Sequence, residues 1–244
     1  MASTALLASA LSAQAQSWTG ATDTGWFTTT NWSTGFVPTN VGQPTIDTTT
    51  NAPVIDGGIA PGVAPAAGSF QQIFIGENAT GALTIQNAGT LNADNAFIGD
   101  NAGSNGTVTM TGASIWNSTG TSNGTIVGFN GTGTFNLSGG TVNTANTILG
   151  FGAASNGSVT VDASTWNQTG AAPLSALFVG YGGLGTFTVQ NGGTVAAVDT
   201  YVGHLAGSTG TATVTGVGSS WTGNSFFIGN SGTGTFNVLA GGTT

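Results

Sequence analysis

The sequence predicts an all-β protein, a right-handed parallel β-helix of about seven turns with an N-terminal cap. Three observations point there. One phrase recurs: "GALTIQNAGTL" from Gly81, "GTFNLSGGTV" from Gly133, "GTFTVQNGGTV" from Gly185 and "GTFNVLAGGTT" from Gly234, at spacings of 52, 52 and 49 residues. A second marker, two apolar residues followed by glycine, falls at Gly76, Gly99, Gly128, Gly150, Gly180, Gly203 and Gly229. Its gaps of 23, 29, 22, 30, 23 and 26 residues alternate short and long, so each repeat of about 50 residues contains two turns. The local hydrophobic period is two: in "TFTVQ", Phe187 and Val189 fall on one face while Thr186, Thr188 and Gln190 fall on the other.

Each unit is too short to bury a core alone, which is the mark of stacked repeats. The strand pieces are β-branched or aromatic, about five residues long, and broken by Gly and Asn. Equivalent strands of successive turns then lie parallel, about 4.8 Å apart, and the crossover rule makes the coil right-handed. Phe135, Phe187 and Phe236, with Leu83, are expected to form one inward column. Ile75, Ile98, Val127, Leu149, Val179, Val202 and Ile228, each preceding a marker glycine, form another. The long turns end in tryptophan at Trp116, Trp166 and Trp221, whose role is expected to be structural. Two turns separate these rings, about 9.6 Å, so each is expected to pack against its own turn.

Ahead of the array, five of the six prolines lie between Pro38 and Pro65, just after Trp18, Trp26 and Trp32. Residues 16–69 are therefore expected to be a lead and cap, and residues 70–244 a solenoid array that stops partway through a repeat. The first 15 residues, with an apolar run from Ala5 to Leu11 and an A-x-A site at Ala13-Gln14-Ala15, resemble the second half of a secretory signal peptide without its basic start. No run reaches the roughly 18 apolar residues of a membrane-spanning helix.

Composition removes whole classes of partner. The 244-residue chain has no Lys or Arg, eight acids, one His, no Cys and a net charge of −8. Nucleic-acid affinity comes largely from basic side chains neutralising phosphates, and anionic membranes attract basic clusters, so neither is an expected partner. Disulfides and thiol chemistry are excluded with cysteine. At 39% hydrophobic and 9% aromatic, the chain carries the residues that disordered segments lack.

Together, "GTFTVQNGGTV", the apolar pair before glycine and "GTVTMTGASIW" resemble the repeats of autotransporter (type V secretion) passengers and PEP-CTERM-associated proteins of bacteria. The opening "SWTGATDTGWFTTTNWSTGFVPT" is similar to the leader of such passengers. The resemblance spans residues 17–244. It implies a parallel β-helix exported to the extracellular space or cell surface, with surface display, adhesion or self-association as its role. The given residues include neither the C-terminal barrel nor the sorting tail of such proteins, so the sequence is expected to be a C-terminally truncated piece of a longer chain.

Candidate chemistry is sparse. "GYGGLG" at Gly180–Gly185 matches a dinucleotide-binding fingerprint, but a strand rather than the required helix is expected after it. Glycosidic cleavage needs two flanking carboxylates. Glu77 and Asp100, both following a marker glycine on adjacent turns, are the one pair that fits; later turns place Phe129, Phe151, Tyr181, His204 and Asn230 there. The position therefore reads as a variable bend, and no catalytic, cofactor-binding or metal-binding residue is expected. His204 lacks neighbouring ligands and reads as a solvated bend residue. The acid-, Asn- and Gly-rich bends lack the calcium-binding β-roll pattern. The one candidate contact surface is a ladder two residues before the marker: Phe74, Phe97, Phe178, Tyr201 and Phe227, with Ile126 and Ile148. Alternation points it outward, where large apolar patches mean contact. Alternatively, a bend turns both columns inward, or the lead covers this face. The expected role is a non-catalytic, structural or adhesive passenger, with self-association or host and matrix surfaces as partners. A polysaccharide-active enzyme and an architectural spacer are the alternatives.

Overall fold

The computed structural model describes residues 15–38, 43–57, 66–118, 123–170 and 175–244. The signal-like run before Ala15 lies outside them. The described chain is all-β, with a single short 3-10 turn at Thr29–Asn31 and parallel strands stacked as a β-solenoid. No helix among the described residues is long and apolar enough to cross a membrane.

Each turn supplies three strand segments, here called faces one, two and three. Face one is an eight-stranded parallel sheet that contains the recurring phrase, from Val54–Asp56 through Leu184–Gln190 to Thr233–Leu239. Eight strands mean eight turns rather than seven. The additional turn comes from the lead, where Val54 pairs with Thr84 and Thr45 with Phe74, both in parallel register. Faces two and three belong to one sheet that forks. In the early turns Ala66–Ile75 and Thr90–Ile98 run through both faces. Thereafter a corner divides them, as in Ile115–Ser118 and Thr125–Val127, both paired to Thr90–Ile98.

Register explains why the repeat is two turns long. On face one the inward column reads Leu83, Val108, Phe135, Val159, Phe187, Ala212, Phe236. On face two it reads Leu91, Trp116, Val142, Trp166, Val195, Trp221. The two columns are out of phase, so a turn with Trp on face two carries Val or Ala on face one, and a turn with Phe carries Val opposite. Interiors fill to crystal-like density only when large and small side chains interlock, and two turns are the shortest period that achieves it here.

The tryptophans therefore pack beyond their own turn, where packing within it alone was expected. Each indole meets a phenylalanine of an adjacent turn: Trp116–Phe135 at 5.1 Å, Phe135–Trp166 at 5.3 Å, Trp166–Phe187 at 5.5 Å and Phe187–Trp221 at 4.8 Å between ring centroids. Most of these pairs are edge-to-face, which the ring quadrupoles favour. The spacing that forbids direct Trp–Trp stacking leaves room for one Phe between. The three rings are fully buried, and each indole N–H donates to a threonine: Trp116 to Thr125, Trp166 to Thr147, Trp221 to Thr200.

At the N-terminal end Trp18, Trp26 and Trp32 form a compact cluster, with Trp32 edge-on to both others at 5.0 and 4.8 Å. Buried Asn31 organises the lead: its amide donates to Asp23 and to the Gly25 carbonyl, and its oxygen accepts from the Thr22 N–H. The Gly25 N–H and the Asn31 amide together hold the exposed Asp23 carboxyl below its ordinary pKa.

Candidate functional site

The ladder expected two residues before the marker glycine is present and faces outward. Phe74, Phe97, Ile126, Ile148, Phe178, Tyr201 and Phe227 are register partners across face three. They pack in a cluster separate from the interior core, which takes the alternate residues Ile75, Ile98, Val127, Leu149, Val179 and Val202. Both columns thus do not turn inward. Among the described residues the lead pairs with the ladder at its first rung, where Thr45 is the register partner of Phe74.

The residues after the marker glycine form a second rail, which a reading as a variable bend does not reveal. Each marker glycine has φ between +65° and +74°, a left-handed bend that folds the next side chain back over the ladder. Phe129 stacks on Phe151 at 4.7 Å, and Phe151 stacks on Tyr181 at 5.1 Å. Across the rails, Phe97 meets Phe129 at 5.7 Å and Phe178 meets Tyr181 at 5.2 Å, both edge-on. His204 is not a solvated bend residue. It lies half-buried among Phe178, Tyr181 and Tyr201, and burial lowers its pKa.

The two rails shield each other in the middle and open toward the C-terminal end. Phe97, Ile126 and Ile148 are buried, Phe178 and Tyr201 are half-exposed, and Phe227 is exposed. Along the ladder the rings stack face to face, as in Phe178–Tyr201 at 4.9 Å and Tyr201–Phe227 at 4.6 Å. Their π-faces are occupied by each other, so ring edges and the Tyr hydroxyls are what a partner would meet. The result is a straight, rigid ridge rather than a row of stacking platforms.

Two polar arrays accompany it. On face two, Asn92, Asn117, Asn143 and Asn167 stack in register, and each amide donates to the side-chain oxygen of the preceding one, at 2.8, 2.9 and 3.3 Å. The asparagine that follows Leu, Trp, Val and Trp in "TLN", "IWN", "TVN" and "TWN" was a signal for it in the sequence. On face one the outward columns are mostly threonine, for example Thr107 and Thr109, Thr186 and Thr188, Thr211 and Thr213.

Glu77 and Asp100 do come close, joined by Asp47 of the lead. Asp47 accepts from the backbone N–H groups of Glu77 and Asn78, at 2.6 and 3.1 Å, and the Thr45 hydroxyl donates to Glu77 at 3.0 Å. Burial, with repulsion from Glu77 and Asp47, pushes the Asp100 carboxyl up to about 6. A group whose folded pKa lies above its unfolded value of about 3.9 binds more protons when folded, so stability falls as pH rises between these values. Replacing Asp100 with Asn is therefore expected to stabilise the protein at pH 7 by about 1 kcal/mol, a value discounted for its partial exposure. Urea melts at pH 4 and pH 7 check this. Equal stability of Asp100→Asn and the parent at both pH values would show that the carboxyl titrates normally.

Among the described residues no group of three or more His, Cys, Asp or Glu could hold a metal ion. After Tyr181, "GGLG" leads into the strand Leu184–Gln190, not a helix, so the fingerprint-like run is a solenoid bend.

No protein-family model, curated protein or solved structure matches the chain.

Proposed function

We propose that this chain is an exported bacterial β-helical rod, similar to an autotransporter passenger, with a non-catalytic role in surface display and adhesion. The observation that carries the reading is the outward ladder from Phe74 to Phe227, covered at its middle rungs and half-exposed or exposed over its last three, all aromatic. An outward aromatic column is costly to leave in water, and extended exposed apolar surface usually marks contact. The absence of any Lys or Arg directs this contact away from phosphate-rich partners and toward apolar or neutral surfaces, such as a glycan matrix or other copies of the rod. The signal-like residues 1–15 and the passenger-like repeats support export to the cell surface.

The test is retention of purified protein on abiotic apolar beads and on matrix-coated beads. Tyr201→Ser with Phe227→Ser is expected to reduce retention about tenfold, the scale of losing two aromatic contacts, with the thermal melt nearly unchanged. Unchanged retention by a folded double variant would leave the ridge as a structural spine and the rod as a spacer.

One observation favours the enzymatic alternative: a carboxyl with a raised pKa, Asp100, beside a second carboxyl, Glu77, the pairing expected of an acid and a base. Cleavage of a polysaccharide by the parent protein, lost in Glu77→Gln and Asp100→Asn, would replace the adhesive reading.

A further inference from the structure

Face one carries an outer surface unlike those of the other two. From Thr80 to Leu239 its strands stay in unbroken parallel register, whereas the sheet of faces two and three shifts register between Ala67 and Ser69. One central outward column reads Ala, Thr, Thr, Ser, Thr, Thr, Thr from Ala82 to Thr235. Its neighbour reads Thr, Thr, Asn, Thr, Thr, Thr, Asn from Thr84 to Asn237. Strand propensity alone would admit Val, Ile and aromatic residues here, and solvation alone would admit charged ones. Neither kind occurs. Among the described residues, the one side-chain hydrogen bond within the two columns runs from the Asn237 amide to the Thr213 hydroxyl, at 3.5 Å. The other hydroxyls are left to whatever meets the face. The acids of this face, Asp56 and Asp162, stand in the edge column, where the amides of Gln86 and Gln190 donate to them at 2.8 and 2.9 Å.

We propose that face one binds the surface of ice. Stacked strands repeat about every 4.8 Å along the rod, and alternate residues lie about 6.6 Å apart across it. That two-dimensional mesh is close to the spacing of water oxygens on a prism face of ordinary ice. A threonine hydroxyl, like water, offers one donor and two acceptor lone pairs. The β-branched side chain is stiff at χ1, which favours one pose repeated from rung to rung. The order is built before contact, so holding a layer of lattice water costs little side-chain entropy. Charge selects this occupant. Ice is a neutral lattice, and a neutral mesh meets it with no ion to desolvate. Phosphate-bearing surfaces find no cation anywhere on the chain. A dissolved protein partner calls for aromatic or arginine anchors, which the two columns lack. The mesh is separate from the aromatic ridge on face three, so failure of either reading leaves the other standing.

The experiment measures the gap between freezing and melting of a single ice crystal, and the coarsening of fine ice, in solutions of the full chain. The parent is expected to open that gap and to hold the crystals small, and an unrelated acidic protein at the same concentration is not. Thr188→Lys raises a long charged side chain from the middle of the mesh and is expected to remove most of both effects. Its circular dichroism melt should match the parent. Should that variant misfold, Thr109→Lys, three turns away in the same column, replaces it. Tyr201→Ser with Phe227→Ser, on the ridge, is expected to keep the full effect on ice. A parent without effect on ice growth, an undiminished effect in a folded lysine variant, or an equal loss in the ridge variant would each overturn the proposal. So would retention of the parent on crystalline cellulose with no effect on ice, which would assign the mesh to a glycan lattice.

Discussion

Trp166→Ala is expected to lower the unfolding free energy by about 3–5 kcal/mol, the range for deleting a large buried aromatic side chain. Trp166 is fully buried and sits between Phe135 at 5.3 Å and Phe187 at 5.5 Å, so its loss removes ring contacts in both neighbouring turns as well as its own volume. The Thr147 hydroxyl also loses the indole N–H that donates to it at 3.3 Å. Collapse into the space is resisted because the strands above and below are held in parallel register on all sides. In stacked repeats stability is a sum of unit and nearest-neighbour terms, so the effect should be local. Hydrogen exchange should accelerate most in Thr132–Ser138, Thr165–Gln168 and Leu184–Gln190, and less at the two ends. A change below about 0.5 kcal/mol in denaturant melts, within the range of surface substitutions, would mean that the indole is not the structural wedge inferred here.

Gly180→Ala is expected to cost about 3 kcal/mol or more, whereas Gly207→Ala should cost about 1–2 kcal/mol. Both glycines have positive φ, +74° and +84°, so the backbone penalty of a side chain in the left-handed region is common to both. They differ in what the new methyl meets. At Gly207 nothing lies within 4 Å, whereas at Gly180 the added carbon would sit 2.3 Å from the Thr209 carbonyl oxygen and 2.9 Å from the Gly210 nitrogen. Those atoms are backbone of the next turn and cannot rotate away. The converse also holds, because a methyl on Gly210 would lie 2.0 Å from the Val179 carbonyl oxygen of the preceding turn. Marker glycines and strand glycines therefore interlock from turn to turn, and the corner can be no wider than hydrogen. Thermal melts of the two variants side by side separate the clash from the shared φ penalty. Equal destabilisation would show that the backbone conformation alone requires glycine at the marker.

The sequence by itself determined the parallel solenoid, the inward aliphatic and aromatic columns and the structural role of Trp116, Trp166 and Trp221, and it offered an outward direction for Phe178, Tyr201 and Phe227 as one of two readings. These are local consequences of covalent geometry: alternate side chains of a strand point to opposite faces, and positive-φ glycines bend the chain wherever they occur. What required the tertiary structure depends on which residues become neighbours across turns, some 24 to 28 positions apart in the chain. Only that register sets Phe135 between Trp116 and Trp166, which turns a repeated tryptophan into a wedge shared by adjacent turns. It also folds Phe129, Phe151, Tyr181 and His204 into a second rail, places the lead strands Gln43–Ile46 and Val54–Asp56 in the solenoid as an eighth turn, and brings Asp47 against Glu77 and Asp100. Side-chain direction is set within two or three residues of chain. Side-chain partnership is set by how far each loop carries the strand before it returns, and loop length and composition do not encode that alignment until parallel pairing of every turn enforces it.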